Sequence, residues 1–329
     1  MTAQAISRYD LATLRSVYFT LHIAGGHIGL PILVLTFFLS KRVHRPATVI
    51  NFCITWIIYS VSYTLLFYGG YHDSLDPPFE LCLAQAAMVH GSPPMAVVAG
   101  FGIVVQAYTA YQLPWQNWYP KWVSRLPSWL ITIAIVLPPY LAFVAFAAAS
   151  AVLGIRHPED VTPGEHLRTH CTYRRSLGSF EKFAVPGFCA GVLAMIVVLE
   201  TLAILKYCRG WRTIKQVCPL ISRRPPLSPL FRVALFSVYS VAVLGACISY
   251  LFQNVNPAVY MIQAALPLVA TIIFATQTDI MSAWTFWKRQ QVSEAIQDPA
   301  YIPGGGWSRP ESQEISPQLT GHFSLASDV

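Results

Sequence analysis

Seven predominantly apolar stretches alternate with polar segments along the chain. They are Leu14–Leu39, Ala47–Gly69, Leu81–Leu113, Pro127–Leu153, Phe183–Lys206, Phe231–Phe252 and Ala258–Ile280. A helix needs about 20 residues to cross the hydrocarbon core of a bilayer, and each stretch reaches that length. Backbone groups find no water in lipid, so each stretch is expected to satisfy its own hydrogen bonds as a helix. The pattern predicts an all-α, seven-helix integral membrane bundle over 14–280, preceded by a polar segment at 1–13. The third stretch contains Pro93-Pro94, the fifth carries Glu200, and the seventh begins shortly after the sixth ends.

Beyond the last stretch the period changes. Met281, Trp284, Trp287, Val292 and Ile296 recur at helical spacing, and Lys288 and Arg289 follow the tryptophans. That pattern predicts an amphipathic helix over 281–297, lying in the headgroup layer. From Asp298 the chain is rich in Pro, Gly, Ser and Gln. A disordered tail over 298–329 is expected there.

Composition strengthens the membrane reading. Of 329 residues, 54% are hydrophobic and only 11% charged, against about 25% charged in a soluble domain. The net charge of +7 sits in the loops and implies no nucleic-acid partner; the expected partner is the bilayer itself. Segments following odd-numbered stretches hold 15 Lys/Arg, and the opposite side holds seven. Positive charge resists translocation, so the richer side is expected to be cytoplasmic. This places the N-terminus outside and the C-terminus inside, with the plasma membrane as the expected location.

Cys82 falls at the outer end of the third stretch and Cys171 in the long outer loop Gly154–Lys182. They are the only cysteines this topology places on the oxidising side, which favours a disulfide between them. Cys53, Cys189 and Cys247 fall within spans and read as packing residues. Cys208, beside the inner membrane face, is a weak candidate for S-palmitoylation. Glu200 is the one acid well inside a span, where charge is costly, so it is a candidate intramembrane switch. His22, His27, Gln85, His90 and Gln263 are intramembrane polar groups that could line a ligand cavity, although hydrogen-bonded packing explains each one separately. Gly25 and Gly29 form a GxxxG pair that lets helices approach closely, within the chain or in a dimer. Pro31, Pro93, Pro94, Pro138, Pro139, Pro186 and Pro267 interrupt spans and are expected to kink them. Arg209, Arg212, Lys215, Arg223 and Arg224 give the third inner loop a basic surface with no acid between Lys206 and Arg232. That surface suits anionic lipid or a cytoplasmic signalling partner.

Seven spans, an outside N-terminus, Cys82 with Cys171, a basic third inner loop and an amphipathic helix after the bundle together resemble a G protein-coupled receptor. The stretch from Arg42 to Phe101, with His44-Arg45-Pro46-Ala47-Thr48-Val49-Ile50-Asn51-Phe52 and Gly91-Ser92-Pro93-Pro94-Met95, is similar to orphan seven-span proteins of mushroom-forming fungi. The resemblance implies a receptor for an extracellular ligand, coupled to a heterotrimeric G protein. It also matches Cys82 and Cys171 to the disulfide that ties the outer loop to the third helix in many such receptors. The chain departs from the rhodopsin-like pattern in three places, one of them the tryptophan-proline pair of the sixth span, which is missing. Ala107-Tyr108-Thr109-Ala110-Tyr111 stands at the inner end of the third span where Asp-Arg-Tyr would be. Asn256-Pro257-Ala258-Val259-Tyr260 lies at the outer end of the seventh rather than the inner one.

Other classes fit less well. Ala258–Ile280 contains no lysine for a retinal Schiff base. The intramembrane histidines are sparse and form no HxxxH, so no catalytic metal, cofactor or enzymatic activity is expected. A transporter or lipid translocator without G protein coupling is the alternative. Such proteins place polar or charged groups near midplane and often repeat internally; here midplane charge is nearly absent and no repeat is visible.

Overall fold

The computed structural model describes residues 14–40, 45–71, 74, 76–110, 127–163, 169–173, 183–217, 227–252 and 257–284. The first apolar stretch is a helix, α1 (Leu14–Leu39), with a π-helical segment at Ile23–Gly29. Pro31 accounts for that segment. Proline lacks an N–H and its ring crowds the carbonyl four residues back, so the ladder widens ahead of it. Leu30 N–H accordingly reaches the Gly25 carbonyl, five residues earlier.

Helix α2 (Ala47–Tyr68) and helix α3 (Phe79–Ala110) form the centre. In each, 61% of the most apolar stretch is buried within the protein. Helix α3 runs unbroken through Pro93 and Pro94. Helix α4 comes in two pieces, Ser128–Val136 and Pro138–Arg156. Pro138 and Pro139 cannot donate to the first piece but suit the first turn of the second. Only 6% of α4's most apolar stretch is buried. Its Trp129, Ile133, Leu141, Val144, Val152 and Ile155 are exposed, an apolar face suited to lipid.

A 3₁₀ turn (Pro158–Asp160) leads into a small antiparallel hairpin of β1 (Val161–Pro163) and β2 (Cys171–Tyr173). Its register pairs Val161 with Tyr173 and Pro163 with Cys171. Helices α5 (Val185–Val217), α6 (Leu227–Leu251), α7 (Pro257–Ala275) and α8 (Thr278–Trp284) follow. Helices α1 to α4 and the first part of α5, Val185–Leu205, are long and apolar enough to cross a membrane. Val238–Ser249 in α6 and Val259–Ala275 in α7 are shorter apolar helices.

Helix α3 packs against α2, the second piece of α4, and α5; α6 packs against α5 and α7; α7 returns to α1. Contacts between α2 and α3 run antiparallel. Ser92 donates to Ser62 Oγ at one level, and Thr48 donates to Gln106 at the other. In α1, Gly25 backs onto the α7 backbone at Pro267 and Leu268, and Gly26 onto the Ser60 side chain, where a Cβ would collide. Gly29 meets Thr271 of the same helix α7. Both members of the GxxxG pair are therefore used within the chain.

Several helix ends differ from the apolar boundaries. Helix α5 continues past Lys206 to Val217, since an α-helix can project beyond lipid on polar residues. Helix α6 starts at Leu227, with Pro229 in its first turn, where a missing N–H costs nothing. Helix α7 stops at Ala275 rather than Ile280. Gln277 N–H bonds to Phe274 O, a tighter turn that ends the ladder. The next helix accordingly begins at Thr278 rather than Met281, with Asp279 in its first turn, where the helix dipole favours an acid. The segments 1–13, 285–297 and 298–329 lie outside the described residues.

Candidate functional site

The hairpin is fastened to the bundle at three points. Cys82 near the start of α3 and Cys171 on β2 form a disulfide, with Cα atoms 5.3 Å apart. Gln85, one turn along α3, accepts from Cys171 N–H at 2.9 Å and donates to the Ser62 carbonyl at 3.2 Å. Tyr173 OH donates to the Ser150 carbonyl on α4 at 2.5 Å. Cys82, Ala86, Cys171, Tyr173 and Leu66 close into their own small apolar cluster.

These fastenings press Thr169 and His170 into the helix bundle. His170 is 9% exposed. Its Nδ1 lies 3.0 Å from Thr169 Oγ1, and its ring meets Tyr63 edge-on at 5.1 Å and Tyr260 at 6.4 Å. Burial, with a smaller contribution from nearby His90, pulls its pKa down from 6.5 to about 4. The imidazole is therefore neutral at physiological pH.

Below His170 is a layer of buried rings. Tyr63 stacks nearly parallel on His22 at 5.6 Å, and Tyr18 meets His22 edge-on at 4.8 Å. Tyr59 lies 4.6 Å from Tyr63 and 4.9 Å from Trp56. Trp56 in turn faces Tyr239 of α6 at 6.1 Å. The spacing of Trp56, Tyr59 and Tyr63 explains their convergence, since three- and four-residue steps share a helix face. His22 Nδ1 contacts Ser60 Oγ at 3.4 Å. His22 Nε2 and Trp56 Nε1 are buried without a hydrogen-bond partner among the described residues. A buried polar atom left unpaired is costly in a packed core. Among the described residues, those named in this cluster include no carboxylate, lysine or arginine.

The expected cavity residues divide. His22 is at the centre. His27 instead bonds Thr64 Oγ1 at 3.1 Å and faces Tyr68. Gln85 is the hairpin's anchor. His90 Nδ1 reaches the Ala86 carbonyl at 2.6 Å, and its ring lies against Tyr173. Gln263 is half-buried on α7, one turn beyond Tyr260. Glu200 is buried within α5, at 3% exposure. The aromatic residues and His170 were not singled out by the sequence. The one signal for them was the shared helical face of Trp56, Tyr59 and Tyr63.

At the opposite end of the helices the contacts are polar. Arg45 pairs with Asp279 of α8. Thr48 donates to Gln106. Asn51 accepts from Tyr140 OH at 2.7 Å and donates to the Val136 carbonyl at 3.4 Å, bridging the break in α4. Trp284 Nε1 donates to Thr36 at 3.0 Å. Arg209, Arg212 and Lys215 fall on the last turns of α5, while Arg223 and Arg224 lie outside the described residues.

Among the described residues, one cluster brings metal-ligand types together. His157, Glu159 and Asp160 place single ligand atoms within 4.8 Å of one another. Exposed acidic turns commonly do so without binding an ion. No protein-family model matches the chain, and no curated protein matches it.

Proposed function

We propose that the protein is a seven-helix receptor of the G protein-coupled type. On this reading it sits in the plasma membrane with its N-terminus outside, senses an extracellular ligand and signals through a basic cytoplasmic face. The observation that carries the reading is the disulfide-fastened hairpin holding His170 against a buried, uncharged aromatic cluster shared by α1, α2 and α7. A disulfide persists in an oxidising compartment, which agrees with the charge asymmetry of the loops. An uncharged ligand entering beside the hairpin would hydrogen-bond to His22 Nε2 or Trp56 Nε1.

Such a ligand shifts the protein between two packings only by its differential affinity for them. The π-helical segment of α1, the break in α4 and Pro267 in α7 are the places where the backbone can absorb the change. At the far end, the last turns of α5 carry Arg209, Arg212 and Lys215 toward a heterotrimeric G protein, with Arg223 and Arg224 following in the chain.

The test is nucleotide exchange on Gα subunits by full-length protein in proteoliposomes, across a panel of uncharged aromatic and amphiphilic small molecules. A ligand-dependent rise in exchange is expected, lost in His22→Ala and Tyr63→Ala. Solute or lipid flux with no Gα dependence overturns the receptor reading in favour of a transporter or translocator.

A further inference from the structure

Thr169 and His170 lie just ahead of β2. The last pair of the hairpin ladder is Pro163 with Cys171, so both residues fall outside it. Both are buried all the same. The next residue, Cys171, is fixed to α3 by the disulfide and by Gln85. Movement here is therefore confined to the short piece of chain before Cys171.

His170 rests against uncharged rings. Tyr63 of α2 meets two imidazoles, His22 of α1 stacked at 5.6 Å and His170 edge-on at 5.1 Å. Tyr260 of α7 lies 6.4 Å from His170. Helix α3 presents His90, whose ring lies 5.4 Å from Tyr173 of β2. Helix α1 also presents Tyr18, 4.8 Å from His22, and β1 offers no titratable side chain. None of these groups is a carboxylate that could neutralise an imidazolium. Glu165, His166, Arg168, Arg174 and Arg175, its neighbours in the chain, lie outside the described residues. A charged imidazole is costly in such a place, because it has lost water and gained no counter-ion. Burial accordingly keeps docked His170 neutral well below the pH at which a free imidazole takes up a proton. The released ring binds protons more readily than the docked one, so falling pH favours release.

We infer that Thr169 and His170 form a proton-released lid over the aromatic cluster. Acid on the hairpin side charges the His170 imidazole, which leaves Tyr63 and Tyr260 for water, while the disulfide holds β2 in place. The stimulus is the proton itself, and one ring binds it. The docked lid is favoured above about pH 6.5 and is released progressively as pH falls below that value. The movement follows from the hairpin alone. That it opens a ligand site rests on the receptor reading.

The experiment is hydroxyl-radical footprinting of full-length protein in lipid nanodiscs, read by peptide mass spectrometry in steps from about pH 7.5 to about pH 5. Labelling of Tyr63 and Tyr260 should rise on the order of tenfold toward acid, and should fall again when pH is restored. Tyr140, at the opposite end, should keep its labelling, and the Cys82–Cys171 cross-linked peptide should persist. His170→Phe should protect both tyrosines at every pH, because its ring packs but takes up no proton. If that variant does not fold, His170→Gln serves, with labelling that is independent of pH. His90→Gln should keep the wild-type response. The inference is overturned if Tyr63 and Tyr260 stay protected in acid, if Tyr140 becomes labelled in parallel, or if either His170 variant keeps the acid response. Loss of the response in His90→Gln overturns the assignment to His170. Acid opening in protein that stimulates no Gα subunit at any pH supports the lid and counts against the receptor reading.

Discussion

The two ends of the helices are held in different ways. At the hairpin end, a covalent bond, a glutamine bridge and stacked rings fasten a loop onto α1, α2, α3 and α7. At the Arg45 end, single polar contacts join helix termini: Arg45 to Asp279, Thr48 to Gln106, Asn51 to Tyr140, Trp284 to Thr36. Ring packing and a disulfide resist displacement as a unit. The partly exposed contacts at the Arg45 end, Arg45 with Asp279 and Trp284 with Thr36, can exchange for solvent one at a time, each at about 1 kcal/mol, whereas Thr48 and Asn51 are buried. The contrast teaches where a conformational change is cheap. If the proposed receptor mechanism holds, the bundle is expected to keep its hairpin end and repack at its Arg45 end.

The strongest way to break the contrast is to cut the covalent bond. Cys82→Ser or Cys171→Ser removes a cross-link between residues 89 apart in sequence. Closing so long a loop is expected to be worth about 3–5 kcal/mol. Thermal unfolding in nanodiscs should show the loss, with faster amide exchange at Cys171–Tyr173. Exchange in α8 should hardly change; if α8 loosens equally, the two ends are not independent.

Acid is the next lever. His170 titrates near 4 when docked and near 6.5 when exposed. Between those values the undocked hairpin binds more protons than the docked one. Stability is therefore full above pH 6.5, falls as pH drops toward 4, and falls no further below that. The total is about 3 kcal/mol. Amide exchange of the hairpin against pH checks the slope, and His170→Phe should remove most of it.

A smaller effect is expected from Gln85→Leu. This leaves Cys171 N–H without its acceptor while the disulfide stays intact, at about 2 kcal/mol. The comparison with Cys82→Ser separates covalent from hydrogen-bonded fastening, again by thermal unfolding and hairpin exchange.

Gln85 also shows how far the sequence could be read. An amide inside an apolar stretch is visible as an anomaly, and it was expected as a cavity group. Its partners, Ser62 and Cys171, are 23 and 86 residues away, so no local pattern points to them. The helices themselves were legible, because the length and composition of a span are local properties. So was the pairing of Cys82 with Cys171, because topology leaves few candidates on one side. Helix ends were read less well, since proline is tolerated in a first turn and α5 continues on polar residues. The aromatic cluster was hidden for a different reason. Tyrosine and tryptophan in a membrane helix read as ordinary apolar mass until the hairpin above them is placed. His170 lies in the outer loop, and nothing local in the sequence marks it as buried.

The smallest expected effect tests the other end. Arg45 and Asp279 are only partly buried, with 18% and 40% of their side chains exposed, so either charge alone can be solvated. Arg45→Ala should cost about 1 kcal/mol, and Asp279→Asn a similar amount. If the ion pair is what couples the segment before α2 to α8, the double variant should cost little more than either single one. Amide exchange over Ile280–Trp284 is the direct readout, and it should rise in all three variants while the Cys171–Tyr173 amides stay protected. Additive losses in the cycle would mean that Trp284 on Thr36 holds α8 without help from the pair. Rising exchange in the hairpin would mean that the two ends move together, and the contrast between them would then describe bonding chemistry without describing mobility.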